Sequence, residues 1–151
     1  MADLIVTIDG PAASGKSTAA RLLARRLGAA FLDTGAMYRA VTLAAMRAGV
    51  DLGDAEKVLD VLRRTELEFA AEQEKMSVRI DGEDVTEPIR RPDVTTNSRY
   101  IASAAKVREE LVRMQREFAA GHETIVTEGR DQGTVVFPHA HIKFYLTADK
   151  S

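Results

Sequence analysis

Short apolar runs and amphipathic segments alternate along the chain from its first residues. The apolar run at residues 4–8 has the length of a buried strand, and the segment after the next loop carries helical spacing up to Gly28, a typical helix stop. Alternation of strands and helices favours a parallel sheet, in which ligands collect at the carboxyl ends of the strands. The elements predicted here are strands at residues 3–8 and 30–32 and helices at residues 16–27, 36–48 and 54–64.

The pattern changes to a period of two after the third of these helices. Alternating residues and a turn at Asp81 and Gly82 predict a small antiparallel β insertion over about residues 66–86. Helical spacing then resumes, and two apolar strands follow. The later predictions are helices at residues 93–104 and 106–119, strands at residues 124–127 and 142–146, and the start of a further helix at residues 147–151.

Composition and charge narrow the class of protein. The 151 residues, 45% of them apolar, favour one α/β domain with a small insertion. The absence of cysteine excludes disulfides and thiolate-bound zinc. The 21 basic and 23 acidic residues are interspersed, which leaves no basic field for nucleic acid. With no signal-like segment and no long apolar run, we expect a cytoplasmic protein that does not associate with membranes.

The loop between the first strand and the first helix fits the phosphate-binding pattern G-x-x-x-x-G-K-[ST]. Its backbone N–H groups can surround phosphates, Lys16 can reach the outer phosphates, and Ser17 can bind Mg²⁺. We attribute the glycines at 10 and 15 to a close backbone approach that a Cβ would block. The alternative is an ordinary glycine-rich turn. The predicted residues for binding ATP are Gly10, Pro11, Ala12, Ala13, Ser14, Gly15, Lys16, Ser17 and Thr18.

Charged side chains follow the ends of the neighbouring strands. Arg39 and Arg130 are expected to face the cleft beside the loop, where guanidinium groups can bind the oxygens of a phosphate that accepts a phosphoryl group. The alternative is that each forms a surface salt bridge. Asp33 and Glu128 either hold Mg²⁺ through water or cap turns. The closely spaced His139 and His141 are interpreted as part of a loop entering a strand, rather than as a metal pair.

Several segments together resemble the bacterial cytidylate kinase family. The motifs that carry the resemblance are residues 8–11 (IDGP), 15–18 (GKST), 32–39 (LDTGAMYR), Val107 and Arg108 with Gln115, and residues 129–138 (GRDQGTVVFP). The resemblance implies an enzyme of pyrimidine metabolism that uses Mg-ATP to phosphorylate CMP or dCMP. It also implies a P-loop NTPase-type parallel sheet flanked by helices, with a small antiparallel β insertion, as in nucleoside monophosphate kinases.

The resemblance also assigns roles to individual residues. Residues 1–35 and 120–151 would form the P-loop core, and residues 36–119 the monophosphate-binding region. Lys16, Arg39 and Arg130 would be catalytic, the two arginines meeting the acceptor phosphate. Residues that would bind the acceptor nucleotide are Thr34, Tyr38, Arg39, Arg108, Arg130 and Asp131.

The resemblance assigns Arg108 and Asp131 to the cytosine edge. A carboxylate accepts a hydrogen bond from the exocyclic amine of cytosine but repels the carbonyl of uracil, which is consistent with this role. Asp131 as a mere helix N-cap remains an alternative. Arg99 departs from the family, which usually carries there a serine that helps to read the base.

The family continues well beyond the last residue, with an arginine-rich lid, a ribose-binding aspartate and further core elements. We therefore expect a C-terminally truncated chain that binds nucleotide and turns over slowly. The exposed edge at residues 142–146 is expected to favour self-association, whereas the full-length form is expected to be a monomer. Two other functions stay open: a module that binds nucleotide without turnover, and a P-loop kinase for an acceptor such as shikimate or gluconate.

Overall fold

The computed structural model describes residues 2–11, 14–73 and 75–147. These residues form strands and helices in the order that the hydrophobic pattern predicts. The elements are β1 (Leu4–Asp9), α1 (Lys16–Leu27), β2 (Ala30–Asp33), α2 (Thr34–Ala48), α3 (Ala55–Arg64), β3 (Leu67–Glu72), β4 (Lys75–Ile80), β5 (Glu83–Asp84), α4 (Pro92–Ser103), α5 (Ala105–Ala120), β6 (Thr124–Gly129) and β7 (Ile142–Tyr145), with a 3₁₀ turn at Pro88–Arg90 and a π-helical turn at Gln132–Val136.

The main sheet is parallel, as predicted. Within the described residues it has four strands in the order β2-β6-β1-β7. The central strands β1 and β6 are buried along most of their length, which matches their continuous apolar runs. Strand β7 lies at an edge, and all of its residues are exposed.

Helix α1 packs on this sheet through small residues. Ala20 and Ala24, one turn apart, are fully buried against side chains of β1, β2 and β6. The helix ends at Gly28, whose φ of 62° is the left-handed conformation that favours glycine, so the predicted helix stop is confirmed. The buried members of this cluster are Val6, Ile8, Ala20, Ala24, Ala29, Phe31 and Val126.

The predicted insertion is present as a second, antiparallel sheet of β3, β4 and β5. Strand β4 alternates between the two faces and buries Met76, Val78 and Ile80. Strand β5 is shorter than predicted because its continuation folds into a turn. There the Asp84 carboxylate accepts a hydrogen bond from the Thr86 N–H at 2.9 Å, and the Thr86 hydroxyl accepts one from the Val78 N–H at 3.0 Å.

Other boundaries differ from the predictions by one or two residues. Helix α2 begins at Thr34 rather than 36, because the Thr34 hydroxyl donates a hydrogen bond to the Glu128 carbonyl at 2.8 Å as soon as β2 ends. Strand β6 continues through Gly129 because its last two residues pair with Ile8 and Asp9 of β1. Of the helix expected from residue 147, residues 148–151 lie outside the described residues.

The chain divides into two compact units. One comprises Met1–Thr34, Ala71–Met76 and Met114–Ser151, and contains the parallel sheet. The other comprises Gly35–Ala70 and Ser77–Arg113. Its exposed ion pairs, Arg47 with Glu83 at 3.0 Å and Lys106 with Glu56 at 2.9 Å, contribute little stability in water. Over the described part of the chain, no helix is both long enough and apolar enough to cross a membrane.

Candidate functional site

The loop after β1 starts with a tight backbone contact. The Gly10 N–H donates to the Gly129 carbonyl at 3.3 Å, and a Cβ on Gly10 would lie 2.5 Å from the Leu146 carbonyl oxygen. Gly15 differs, because nothing among the described residues lies within 4 Å of such a Cβ, whereas its φ is 84°. The left-handed backbone conformation is thus a reason for glycine at 15 that needs no neighbouring protein atom. The close approach to a phosphate stays a prediction.

The rest of the predicted loop is only partly described. Ala12 and Ala13 lie outside the described residues. Pro11 and Thr18 are exposed, and Ser14 is half-buried with an inaccessible hydroxyl that has no partner among the described residues. Gly15 at the N-cap has no side chain to cap α1, and the first turn of this helix carries no acidic residue. The positive end of the α1 dipole is thus left for an anion.

Lys16 and Ser17 begin α1 and make different contacts. The Lys16 ammonium donates to the Gly10 carbonyl at 2.6 Å, so its charge lies across the loop. The Ser17 hydroxyl donates to Glu128 Oε1 at 3.0 Å. This contact joins the first turn of α1 to the end of β6, and it involves a side chain rather than a backbone N–H. A role of the Glu128 carboxylate in holding Mg²⁺ stays a prediction.

Asp33 and Glu128 form a buried acidic pair at the ends of adjacent strands. They are partners in the β2–β6 register and are 8% and 7% exposed. Burial raises the pKa of Glu128, and the charge of Asp33 raises it further, while the Ser17 hydrogen bond and the charges of Lys16 and Arg21 act in the opposite direction. A further positive charge near this pair would relieve the repulsion between the two carboxylates.

The oxygens of Ser17, Asp33 and Glu128 are ligands of the kind that Mg²⁺ prefers. Within the described residues, no three His, Asp or Glu side chains form a group that could hold a metal ion. A site with few protein oxygens still fits Mg²⁺, which usually takes one or two protein ligands and completes its shell with phosphate and water.

The segment after β6 carries Arg130 and Asp131 into the π-helical turn. Arg130 is exposed and Asp131 is half-buried. The N–H groups of Gln132 and Gly133, at the start of the turn, both donate to the Asp9 carboxylate at 2.8 Å. Asp131 occupies the N-cap position of this turn, but its side chain makes no capping hydrogen bond. The Asp9 side chain, at the end of β1, accepts the hydrogen bonds of these N–H groups instead.

A guanidinium holds the other end of the same turn. Arg116 on α5 donates from Nε to the Val136 carbonyl at 3.0 Å and from Nη2 to the Val135 carbonyl at 3.1 Å. The turn is thus fixed by a carboxylate at its N–H end and by a cation at its carbonyl end, which matches the direction of its backbone dipoles. Single π-helical turns of this kind often occur at functional sites.

The remaining predicted residues lie on helices. Thr34, at the start of α2, is buried and belongs to the same unit as Arg130 and Asp131. In the other unit, Tyr38 and Arg39 are half-buried on α2, and Arg108 is exposed on α5.

Arg99, where the family usually carries a serine, is exposed on α4 in that same unit. Its guanidinium carbon lies 5.1 Å from the centre of the Tyr100 ring.

His139 and His141 lie in the loop before β7, as predicted. The His141 ring accepts a hydrogen bond at Nδ1 from the Ile5 N–H at 3.0 Å, and the His141 N–H donates to the Ile5 carbonyl at 3.0 Å. His141 therefore extends the pairing between β1 and β7 by one position.

The sequence motifs do not indicate the parts that Asp9, Arg116 and Gln132 play. Asp9 ends a buried strand, a position where a carboxylate needs a hydrogen-bond partner, and this could have marked it. Arg116 resembles any other exposed helical arginine. Gln132 lies in the most distinctive motif of the chain, but its burial depends on contacts with residues distant in sequence.

Comparison with known proteins identifies the family. The family model for cytidylate kinase matches residues 6–151. The chain belongs to the cytidylate kinase family. The resemblance carried by the motifs is thereby confirmed, and the parallel sheet with its small antiparallel sheet agrees with a fold of the P-loop nucleoside monophosphate kinase type.

Individual relatives are similar over nearly the whole chain. A cytidylate kinase of Rhodopirellula baltica is 47% identical over 145 residues, which cover 96% of this chain and 61% of that protein. A cytidylate kinase of Desulforamulus reducens is 50% identical over 143 residues, covering 95% of this chain and 64% of that protein. The chain thus spans less than two thirds of the length of these relatives.

Proposed function

We propose that this protein transfers the γ-phosphoryl group of ATP to CMP or dCMP. The observation that carries the proposal is the junction of β1 and β6, where Asp9 is the register partner of Gly129 and the Gly10 N–H donates to the Gly129 carbonyl. The phosphate-binding loop begins at Gly10, and the segment with Arg130 begins one residue after Gly129. The loop that would bind the donor phosphates and the segment with Arg130, which would bind the acceptor phosphate, therefore follow neighbouring strands at the same edge of the sheet.

On the donor side, the loop and the N-terminus of α1 bind the ATP phosphates. The Lys16 ammonium moves from the Gly10 carbonyl to the outer phosphates, exchanging a neutral acceptor for a charged one. Ser17 would hold Mg²⁺, and Glu128 and Asp33 would hold it through water. When bound, Mg²⁺ neutralises charge on the donor phosphates.

On the acceptor side, Arg39 and Arg130 bind the oxygens of the CMP phosphate and reduce its repulsion from ATP. Thr34 and Tyr38 contact the acceptor nucleotide. An oxygen of the CMP phosphate attacks the γ-phosphorus while the bond to the β-phosphate oxygen breaks. The products are CDP and ADP, and the guanidinium groups stabilise the charge that spreads over the transferred group.

The choice of base is assigned to Asp131 and Arg108. The Asp131 carboxylate accepts from the exocyclic amine of cytosine and repels the carbonyl that uracil carries at the same position. The Arg108 guanidinium donates to the ring nitrogen and carbonyl of cytosine. Base selectivity then depends on one carboxylate, whereas phosphate binding depends on arginines that treat all monophosphates alike.

The proposal is tested by measuring ADP release from Mg-ATP with CMP, dCMP, UMP, AMP and shikimate as acceptors. We expect release with CMP and dCMP to exceed release with each of the others by about tenfold or more. Arg130→Ala should abolish most of it, whereas Arg26→Ala, which removes an exposed arginine in the last turn of α1, should not change it. Equal rates with and without each acceptor would overturn the proposal, and a preference for shikimate would indicate a different P-loop kinase.

A further inference from the structure

The side chain of Gln132 forms the centre of a buried hydrogen-bond network. Gln132 is 1% exposed, as is Gln115, which it contacts. Its Oε1 accepts from the Thr127 hydroxyl at 2.8 Å, and its Nε2 donates to Gln115 Oε1 at 3.0 Å and to Asp131 Oδ1 at 3.2 Å. Each polar atom of the amide is therefore used, as a buried amide requires.

The partners of this amide fix its orientation. A carboxylate oxygen of Asp131 can only accept, so the NH₂ group of Gln132 must point towards it. The Thr127 hydroxyl then donates to the amide oxygen from the opposite side. The backbone N–H of Gln132 is itself held by Asp9 at 2.8 Å. The amide is thus fixed at its backbone and at both polar atoms, and cannot flip without losing several buried hydrogen bonds.

This rigidity extends to Asp131, the residue to which the proposed function assigns the choice of base. Asp131 is only half-buried, and a carboxylate in that setting would rotate about its side-chain bonds. The hydrogen bond from Gln132 holds Oδ1 and so restrains the rotation of the carboxylate and the direction of its remaining lone pairs. Selectivity for an amine-bearing base edge requires that direction, because a misplaced acceptor neither binds the amine nor rejects a carbonyl well.

We propose that Gln132 is a positioning residue that sets the base selectivity of Asp131. The inference rests on the proposed function, in which Asp131 reads the cytosine edge. Because Gln132 is 1% exposed, we assign it no contact with the substrate, and its effect passes through the Asp131 Oδ1 contact. A residue with this role changes the ratio of CMP to UMP affinity, whereas a residue needed only for packing changes the affinities for both nucleotides together.

The test measures dissociation constants for CMP, UMP and Mg-ATP by calorimetry in the wild type and in Gln132→Met. Methionine keeps the unbranched length of the side chain and removes the donor. We expect the preference for CMP over UMP to fall by about tenfold, with ATP affinity unchanged. Gln132→Glu keeps the acceptor for Thr127 but places a carboxylate against Asp131. We expect this variant to bind CMP more weakly than Gln132→Met does.

Gln115→Met is the matched control. It removes an equally buried hydrogen-bond partner of the same amide but leaves the contact with Asp131, so the CMP to UMP ratio should stay at the wild-type value. In an Asp131→Asn background, Gln132→Met should have no further effect on the ratio, because its effect passes through the carboxylate.

Three outcomes separate the inference from the proposed function. A wild type that binds CMP and UMP equally would overturn the proposed base selectivity, and the inference with it. If the wild type discriminates and Asp131→Asn reduces the discrimination, but Gln132→Met and Gln132→Glu do not, only the inference fails. A ratio that falls equally in Gln115→Met and Gln132→Met would also overturn it, since the ratio would then depend on the buried network as a whole and not on the contact between Gln132 and Asp131.

Discussion

Asp9→Asn is expected to loosen the turn that carries Arg130 and Asp131. The Asp9 carboxylate is 6% exposed and accepts hydrogen bonds from two backbone N–H groups, those of Gln132 and Gly133, each at 2.8 Å. Asparagine has the same size, but its amide offers one oxygen and one NH₂ group. At least one of the two backbone N–H groups would therefore face a donor instead of an acceptor.

The cost can be estimated from these contacts. A hydrogen bond to a charged group contributes about 1.5–3 kcal/mol, and a buried donor left without a partner costs about 1–3 kcal/mol. The loss of the hydrogen bond and the N–H group left without a partner are the same change, so the two energies are not added. The remaining bond is also weakened by loss of the charge. We expect a loss of about 3 kcal/mol in the free energy of unfolding, which corresponds to a melting temperature lower by about 6–12 °C for a domain of this size.

The assay is urea unfolding followed by far-ultraviolet circular dichroism, because the sequence has no tryptophan for fluorescence. Asp60→Asn is the control: Asp60 is exposed on α3 and pairs with Arg64 at 3.2 Å, so its replacement should change the free energy by less than about 0.5 kcal/mol. If Asp9→Asn unfolds within that same margin, the two N–H contacts do not hold the turn as described, and the reasoning is refuted.

Three further predictions concern the site. Lys16→Ala should weaken Mg-ATP binding about tenfold or more in calorimetry, whereas Lys57→Ala on the exposed face of α3 should leave it unchanged; equal effects would contradict the loop assignment. Asp131→Asn should reduce the preference for CMP over UMP in competition titrations, while Arg39→Ala should weaken both alike, and the reverse pattern would exchange their roles. Burial raises the pKa of Glu128 above its ordinary value of 4.5, so the folded state favours the protonated form and loses stability as the pH rises through the folded-state pKa. In metal-free buffer, Glu128→Gln should therefore melt at a higher temperature than the wild type at about pH 8. The difference in melting temperature should disappear at about pH 4, below the pKa of the unfolded state. A constant difference across this pH range would show that the carboxylate charge is not its cause.

Local chemistry determines the elements that the sequence predicts well. The prediction of helix α1 at residues 16–27 rests on its helical spacing and on the glycine that follows it, and in the structure Gly28 adopts the left-handed conformation that ends the helix. The antiparallel insertion was predicted because alternation with period two needs no information from distant residues. In both cases the signal lies within a few residues of the structure that it determines.

Boundaries set by distant contacts were harder to predict. The segment at Thr34 and Gly35 reads as a loop, yet α2 begins there because the Thr34 hydroxyl bonds to the Glu128 carbonyl, 94 residues away in sequence. No element is predicted over the π-helical turn, which contains Gly133, yet it is held by Asp9, more than a hundred residues earlier. No local propensity contains these partners, so a pattern of single residues could not indicate them.

The pairing of β1 with β6 explains why Asp9 and Gly10 lie next to Gly129 and the turn that follows it. Asp9 and Gly129 are register partners, and at this position the backbone of Gly10 is bonded to Gly129 while the Asp9 side chain is bonded to Gln132 and Gly133. Two neighbouring residues at the end of one strand thus hold the phosphate-binding loop and the turn of Arg130 on the same rigid support. A shift of one residue in the register would turn Asp9 to the opposite face and release the turn. The register of two buried apolar strands, which carry no chemistry themselves, therefore fixes the polar groups on which the proposed phosphoryl transfer depends.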